Sequence, residues 1–133
     1  MKVDGRCHCG TVTYEAVVDP HSVAICHCAD CQMLTGTAFR ANISASSGAF
    51  ALLSGEPRIY IKTAESGAKR AHAFCADCGT PIYSSALDTP ATYSLRVGCL
   101  RQRAELTLQL QRWCDSALPW VMSLEHIPRR ARQ

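Results

Sequence analysis

Apolar and polar positions alternate over most of this chain. In TVTYEAVV, Val12, Tyr14, Ala16 and Val18 fall on one face and Thr11, Thr13 and Glu15 on the other. That period of two belongs to a half-buried strand, whose successive side chains point to opposite sides. AFRANIS repeats the alternation through Phe39, Ala41 and Ile43, and RIYIK, RAHAF, TPIYSS and TYSLRVGCL read as further short strands rich in β-branched and aromatic residues. The last strand is ELTLQLQRW, where Leu106, Leu108 and Leu110 alternate with polar residues and Thr107 argues against a helix. Turn signals at SSG, SGEP, ESG and LDTP separate these segments. Only ADCQMLTG has helical character, a turn or two starting near Asp30 and stopped by Gly36. The pattern predicts an all-β fold, mainly strand with short helical turns.

Length adds that this is one domain over residues 1–133, with a core over about residues 3–122 and a basic C-terminal tail, IPRRARQ, read as a solvated terminus. A chain of this size gains from a metal staple. The nine cysteines are an odd number and MKVDGRCHCG has no apolar stretch of signal-peptide length, so the expectation is a reducing, cytoplasmic location with metal thiolates rather than disulfides. No apolar run approaches the ~18–20 residues of a membrane span, so a soluble protein is expected. The formal charge of +3 hints at a polyanion partner. One Zn²⁺ on four thiolates carries about −2, however, and one on three carries about −1, which together cancel that charge. Nucleic acid is therefore not expected as a partner. Trp113, Pro119 and Trp120 read as core and packing residues.

The cysteines fall into short clips. RCHCG supplies Cys7 and Cys9, and FCADCGT supplies Cys75 and Cys78, with Gly10 and Gly79 each following its clip. Two such clips make a tetrahedral four-cysteine site that ties the start of the chain to its middle, a structural zinc centre. Iron also binds such clips, and buried free thiols are the bland alternative; the matched pair favours zinc. In CHCADCQ the two clips are fused with Cys28 shared, so Cys26, Cys28 and Cys31 provide three ligands and leave one position open. Three protein ligands and an exchangeable fourth are the arrangement of a catalytic zinc. His8, His27, His72, Cys99 and Cys114 are candidates for the fourth. His27 lies between two ligands and should point away from the metal, in an outer-shell or solvent role, while Cys99 and Cys114 read as packing. Water or a soluble thiol is the preferred fourth ligand. Three thiolates weaken zinc as a Lewis acid, which favours binding a thiol as thiolate over activating water. Such a thiolate attacks an aldehyde carbon, and in reverse the site stabilises sulfur as a carbon–sulfur bond breaks. Two zinc ions per chain follow.

The motifs GRCHCGTVTYE, CHCADCQMLTGTAF, LSGEPRIY, FCADCGTPIYS and RWCDSALPW, which span nearly the whole chain, are similar to those of the glutathione-dependent formaldehyde-activating enzyme family, shared with centromere protein V. The resemblance implies a zinc-stabilised β-tent, with Cys7, Cys9, Cys75 and Cys78 on a structural zinc and Cys26, Cys28 and Cys31 on a second, more labile one. It implies carbon–sulfur lyase chemistry, the reversible joining of formaldehyde and glutathione to S-hydroxymethylglutathione, with a glutathione-like thiol as the small-molecule partner. Gln32 and Thr35, just after the second clip, and Arg40 are candidate substrate contacts. Lys62, Arg70 and Arg96 are further cations for the two carboxylates of glutathione, and His27 and Asp30 are candidate general bases by proximity. The chain departs from the family in GCLRQR, where relatives carry acidic residues; Arg101 and Arg103 read as charge on a strand edge. The alternatives are a non-catalytic zinc module for protein or nucleic acid, disfavoured because no basic face interleaved with aromatics is evident, and a labile-zinc or thiol sensor.

Overall fold

The computed structural model describes residues 1–133. It is a single, mainly β domain of ten strands in two sheets. The smaller sheet joins β1 (Lys2–Arg6), β2 (Thr13–Val17) and β5 (Phe50–Ser54) in the order β1-β2-β5. The larger contains β3 (Val23–Cys26), β4 (Arg40–Ser46), β6 (Arg58–Thr63), β7 (Lys69–Phe74), β8 (Pro81–Ala86), β9 (Thr92–Arg96) and β10 (Leu108–Arg112). Its order is β10-β3-β4-β9-β8-β7-β6, with β10 parallel to β3 and the other pairs antiparallel.

The alternation in β2 sorts as expected: Val12, Tyr14, Ala16 and Val18 are all buried. They meet Val3 from β1 and Val23, Ile43, Ala45, Ile82 and Leu95 from the larger sheet, forming one core between the sheets. Phe50, Tyr83 and Tyr93 close it, with Phe50 stacked on Tyr93 at 4.4 Å and Tyr93 edge-on to Tyr83 at 5.0 Å. Close packing also explains Gly5: a Cβ there would lie 2.2 Å from Cζ of Tyr14. The core sits on the odd-numbered side of β4 and β9, through Ile43, Ala45, Tyr93 and Leu95. The opposite side of that sheet carries Arg40, Asn42, Ser44, Ser94 and Arg96, and this polar side positions the functional site.

The helix is α1 (Ala29–Thr35), capped at its start by Cys28, whose Sγ accepts the Cys31 N–H at 3.4 Å, and ended by Gly36 at φ 64°. The segment TYSLRVGCL is strand only to Arg96; Val97–Cys99 curl into a 3₁₀ turn closed by Leu100 N–H to Val97 O, so Cys99 sits on a turn and not in a strand. Trp113 and Trp120 do not join the core. They are 67% and 56% exposed, because β10 is an edge strand and the chain beyond it runs as a strap over the surface. Cys114, next to Trp113, is likewise exposed instead of packed. From Met122 onward every residue is exposed. No helix is long and apolar enough to cross a membrane.

Candidate metal centres and the adjoining cavity

Cys7 and Cys9 follow β1 of the smaller sheet, and Cys75 and Cys78 follow β7 of the larger. The fold brings their four sulfurs together, each within 4.8 Å of the others. Cys7 and Cys9 are 3.5 Å apart and Cys9 and Cys75 3.7 Å. A tetrahedron with zinc–sulfur arms of about 2.3 Å has edges of about 3.8 Å, so the spacing and the all-thiol donor set fit a metal of that kind. Gly10 at φ 86° and Gly79 at φ 76° supply the left-handed residue with which each clip turns. Val12 N–H donates to Cys7 Sγ at 3.2 Å. The Thr80 hydroxyl, with the main-chain N–H groups of Cys9 and Thr80, pulls the Cys78 thiol down to about 5. The set is half buried: Cys7 and Cys75 face the core, Cys9 and Cys78 the solvent.

Cys26, Cys28 and Cys31 form the second group, at the end of β3 and in the first turn of α1, again with sulfurs within 4.8 Å. Burial pushes the Cys31 thiol up to about 12. Burial also opposes ionisation of Cys28, but the Cys31 N–H and the neighbouring thiols outweigh it and hold that group below its ordinary value. Three thiols crowded this closely ionise together only around a cation. This donor set also fits a metal, with one side uncovered by protein ligands.

His27 is fully buried and lies outside this sulfur cluster. Its Nε2 is 2.9 Å from Gln111 Oε1 and its ring packs edge-on against Phe39. It therefore points away from the sulfurs, into protein and not into solvent. Gln32 and Thr35 share α1 with the cluster, and their side chains bond main-chain carbonyls. The Gln32 amide donates to His27 O at 2.7 Å and Ser116 O at 3.0 Å, tying the C-terminal strap to the helix, and Thr35 Oγ1 donates to Cys31 O at 2.7 Å. Asp30 is ion-paired with Lys62, which holds its carboxyl below the usual range. Cys99 donates to Pro81 O at 3.1 Å, and burial pushes its thiol up to about 11. Arg101 pairs with Asp4 at 2.9 Å, beside the bridge between Gly5 and Leu100; it covers a strand edge as expected.

Beside Cys26 and Cys31 opens a cavity of about 290 Å³ on the polar side of the larger sheet. Its lining includes three hydroxyls in register across β4, β9 and β8, Ser44, Ser94 and Ser84, together with Asn42. Arg40, Lys62, Arg70, Arg112 and His72 add cationic and imidazole groups, and the exposed Trp113, at φ 57°, contributes from the strap. Arg40 pairs in register with Cys26 across β3 and β4. It is only 7% exposed, yet its Nε and Nη2 have no hydrogen-bond partner. These two N–H groups form one side of the guanidinium fork, which matches a carboxylate. Arg96, equally buried, donates through Nη1 to Asn42 at 2.6 Å, and burial followed by the Arg40 charge brings it down to about 9. Sequence reasoning passed over Arg112 and the serine row, and weighed His72 only as a fourth metal ligand, a set the structure limits to Cys26, Cys28 and Cys31. The signal was present in RANIS, TYSLR and RAH, whose polar positions share one parity, but nothing local says that this parity from seven strands encloses a cavity.

The sequence model of the glutathione-dependent formaldehyde-activating enzyme family matches residues 2–116. Among solved structures, a crystal structure of a Rhodobacter sphaeroides protein, a structural-genomics target, is similar with a TM-score of 0.60 at 20% identity. The match covers 80% of this chain and 99% of that one, and at this identity it speaks for the fold alone. No curated protein matches the chain.

Proposed function

The chain belongs to the glutathione-dependent formaldehyde-activating enzyme family, and from that premise we propose that it is a zinc-dependent carbon–sulfur lyase acting on a glutathione-like thiol adduct of the S-hydroxymethylglutathione class. Membership gives a glutathione-related, formaldehyde-activating function in broad terms. The observation that carries the finer reading is the unpartnered Arg40 fork, buried in a cavity that also reaches Cys26 and Cys31. A buried cation with free N–H groups is costly unless an anion completes it. A thiol substrate bearing carboxylates supplies that anion and brings its sulfur to the cysteines.

In this reading Cys7, Cys9, Cys75 and Cys78 hold a structural zinc, and Cys26, Cys28 and Cys31 hold a second, giving two per chain. When bound there, the second zinc keeps a thiol ionised at neutral pH and stabilises sulfur when the carbon–sulfur bond breaks. The chain's own groups do the rest. Arg40 orients a substrate carboxylate, the serine row and Asn42 accept and donate to amide groups, and Lys62 holds Asp30 ionised at the rim. Gln32 and Thr35 act through the helix they brace. All nine cysteines are free, which suits a reducing, cytoplasmic setting, and residues 1–133 serve as one unit.

Metal analysis with cobalt in place of zinc tests the reading. Two ions per chain and a change in cobalt–thiolate absorption on adding glutathione are expected, together with exchange between formaldehyde, glutathione and their adduct that Cys28→Ser abolishes. A second ion indifferent to added thiol, with equal exchange in both proteins, would defeat it.

A further inference from the structure

His72 lies on β7 among the residues lining the cavity, and the reading above gives it no task. Its Nδ1 is 3.4 Å from Nη2 of Arg96, which Asn42 Oδ1 holds from the other side at 2.6 Å. A guanidinium offers only N–H donors. Nδ1 therefore receives this bond through its lone pair, and the proton of the neutral ring lies on Nε2. An imidazolium would set a second N–H against that of Arg96, donor to donor. It would also add a charge among Arg40 from β4, Arg96 from β9, Lys62 from β6 and Arg70 from its own strand. Of the anionic groups near it, Asp30 is taken by Lys62, and the cysteines of the second cluster are gathered within 4.8 Å of one another as a metal-binding set. Burial first, and then Arg40, bring the imidazole down to about 4, so it stays neutral where a thiol addition would run.

We propose that His72 is a neutral hydrogen-bond donor, oriented through Arg96 and Asn42, whose Nε2–H holds the substrate oxygen that gains charge as sulfur adds to the aldehyde carbon. The proposal rests on the thiol-adduct reading. A sulfur lone pair forms the carbon–sulfur bond, the carbonyl π pair moves to oxygen, and the resulting alkoxide takes a proton from water. In reverse the hydroxide left by that water takes the proton back from the hydroxyl, the carbonyl re-forms, and the carbon–sulfur pair returns to sulfur. No electrons are gained or lost overall. A neutral donor suits this step: it stabilises the oxyanion from a preorganised position and does not protonate the thiolate, as an imidazolium would.

Long-range proton–nitrogen NMR on the metal-loaded wild-type protein reads the tautomer directly. The expected spectrum has the His72 proton on Nε2 and an unprotonated Nδ1 throughout pH 5.5–8 (about the range of the unperturbed group and above); a proton on Nδ1, or a doubly protonated ring at pH 6, overturns the proposal without reference to activity. Kinetics supply the second arm. Removing one such donor costs roughly 100- to 1,000-fold in turnover, so His72→Phe should slow adduct exchange by that order with KM for glutathione little changed, and His72→Gln, whose amide still donates, should recover part of the loss. Equal rates in wild type and His72→Phe sink the donor alone. A wild-type protein that neither binds thiol nor exchanges adduct sinks the lyase reading and the donor with it.

Discussion

The two cysteine clusters use the same clips and differ in what they join. The four-cysteine group draws Cys9 and Cys75 together from 66 positions apart and fastens the end of β1 in one sheet to the end of β7 in the other. The three-cysteine group comes from residues 26 to 31 alone, so closing it restricts a chain that β3 and α1 already fix. A cross-link between distant segments removes freedom from the unfolded chain, and a local one removes little. A metal held by the first cluster would thus fasten the fold. The second adds little to it and is left free to face a cavity.

The largest expected effect follows from that difference. Structural zinc sites contribute on the order of 10 kcal/mol, comparable with the whole stability of a domain this size. Cys75→Ser, at a sulfur only 1% exposed, should therefore leave a chain unfolded at 37 °C (a temperature about 10–30 °C below the midpoints of ordinary domains) by circular dichroism. Cys28→Ser should stay folded, with a melting midpoint within about 5 °C of wild type, and lose at least about 100-fold in adduct exchange. Equal loss of fold in the two variants would erase the distinction between the clusters.

How much of this was legible in sequence depends on whether the determining contact is local. The β2 alternation, the helix stopped by Gly36 and the three-cysteine cluster are written in short stretches, because a period of two or a clip of four residues carries its own geometry, whereas the meeting of the two outer clips was inferred from their matched pattern. Trp113 and Trp120 were not legible: an aromatic next to a strand reads as core until one knows that the strand is an edge. Arg40 was named as one cation among several, and only the pairing of β4 with β3 sets it against Cys26. The serine row, Arg112 and the Arg96–His72 contact depend on the order β10-β3-β4-β9-β8-β7-β6, which no local pattern specifies. The cavity is a product of topology, whereas the cysteine clips are products of spacing.

Cavity and clip can be separated by substitution. Arg40→Lys keeps the charge and loses the fork, and a charge-assisted hydrogen bond contributes about 1.5–3 kcal/mol. KM for glutathione should then rise roughly 10- to 100-fold, while a glutathione ester lacking free carboxylates should be handled alike by both proteins. A KM unchanged by the substitution would remove Arg40 from substrate binding. The pH dependence probes the same wall more gently. His72 is held near 4 in the fold against about 6.5 when unfolded. Below 6.5 the unfolded chain binds a proton that the folded chain does not, so the stability linked to His72 is present above that pH and is lost as pH falls toward 4. With metal content matched, the melting midpoint of wild type should fall more steeply between pH 7 and 5 than that of His72→Phe, by a few degrees. Parallel curves would mean that the imidazole is as free to ionise in the fold as outside it.

The last contrast sets the glycines of the two clusters side by side. A Cβ at either Gly79 or Gly36 meets nothing within 4 Å, so replacing either by alanine adds no clash and costs only the left-handed backbone, at φ 76° and 64°. That cost is about 1–2 kcal/mol at each. What it strains differs. At Gly79 it acts on the turn whose main chain donates to Cys75 O and follows Cys78, so the penalty should appear as a midpoint lower by about 3–8 °C with the second metal retained. At Gly36 it acts on the end of the helix that presents Cys31, so a similar midpoint change should come with easier loss of the second metal to a chelator. If Gly79→Ala instead loosened the second metal, the two clusters would be coupled through the sheet between them, and the division of labour drawn from their topology would not hold.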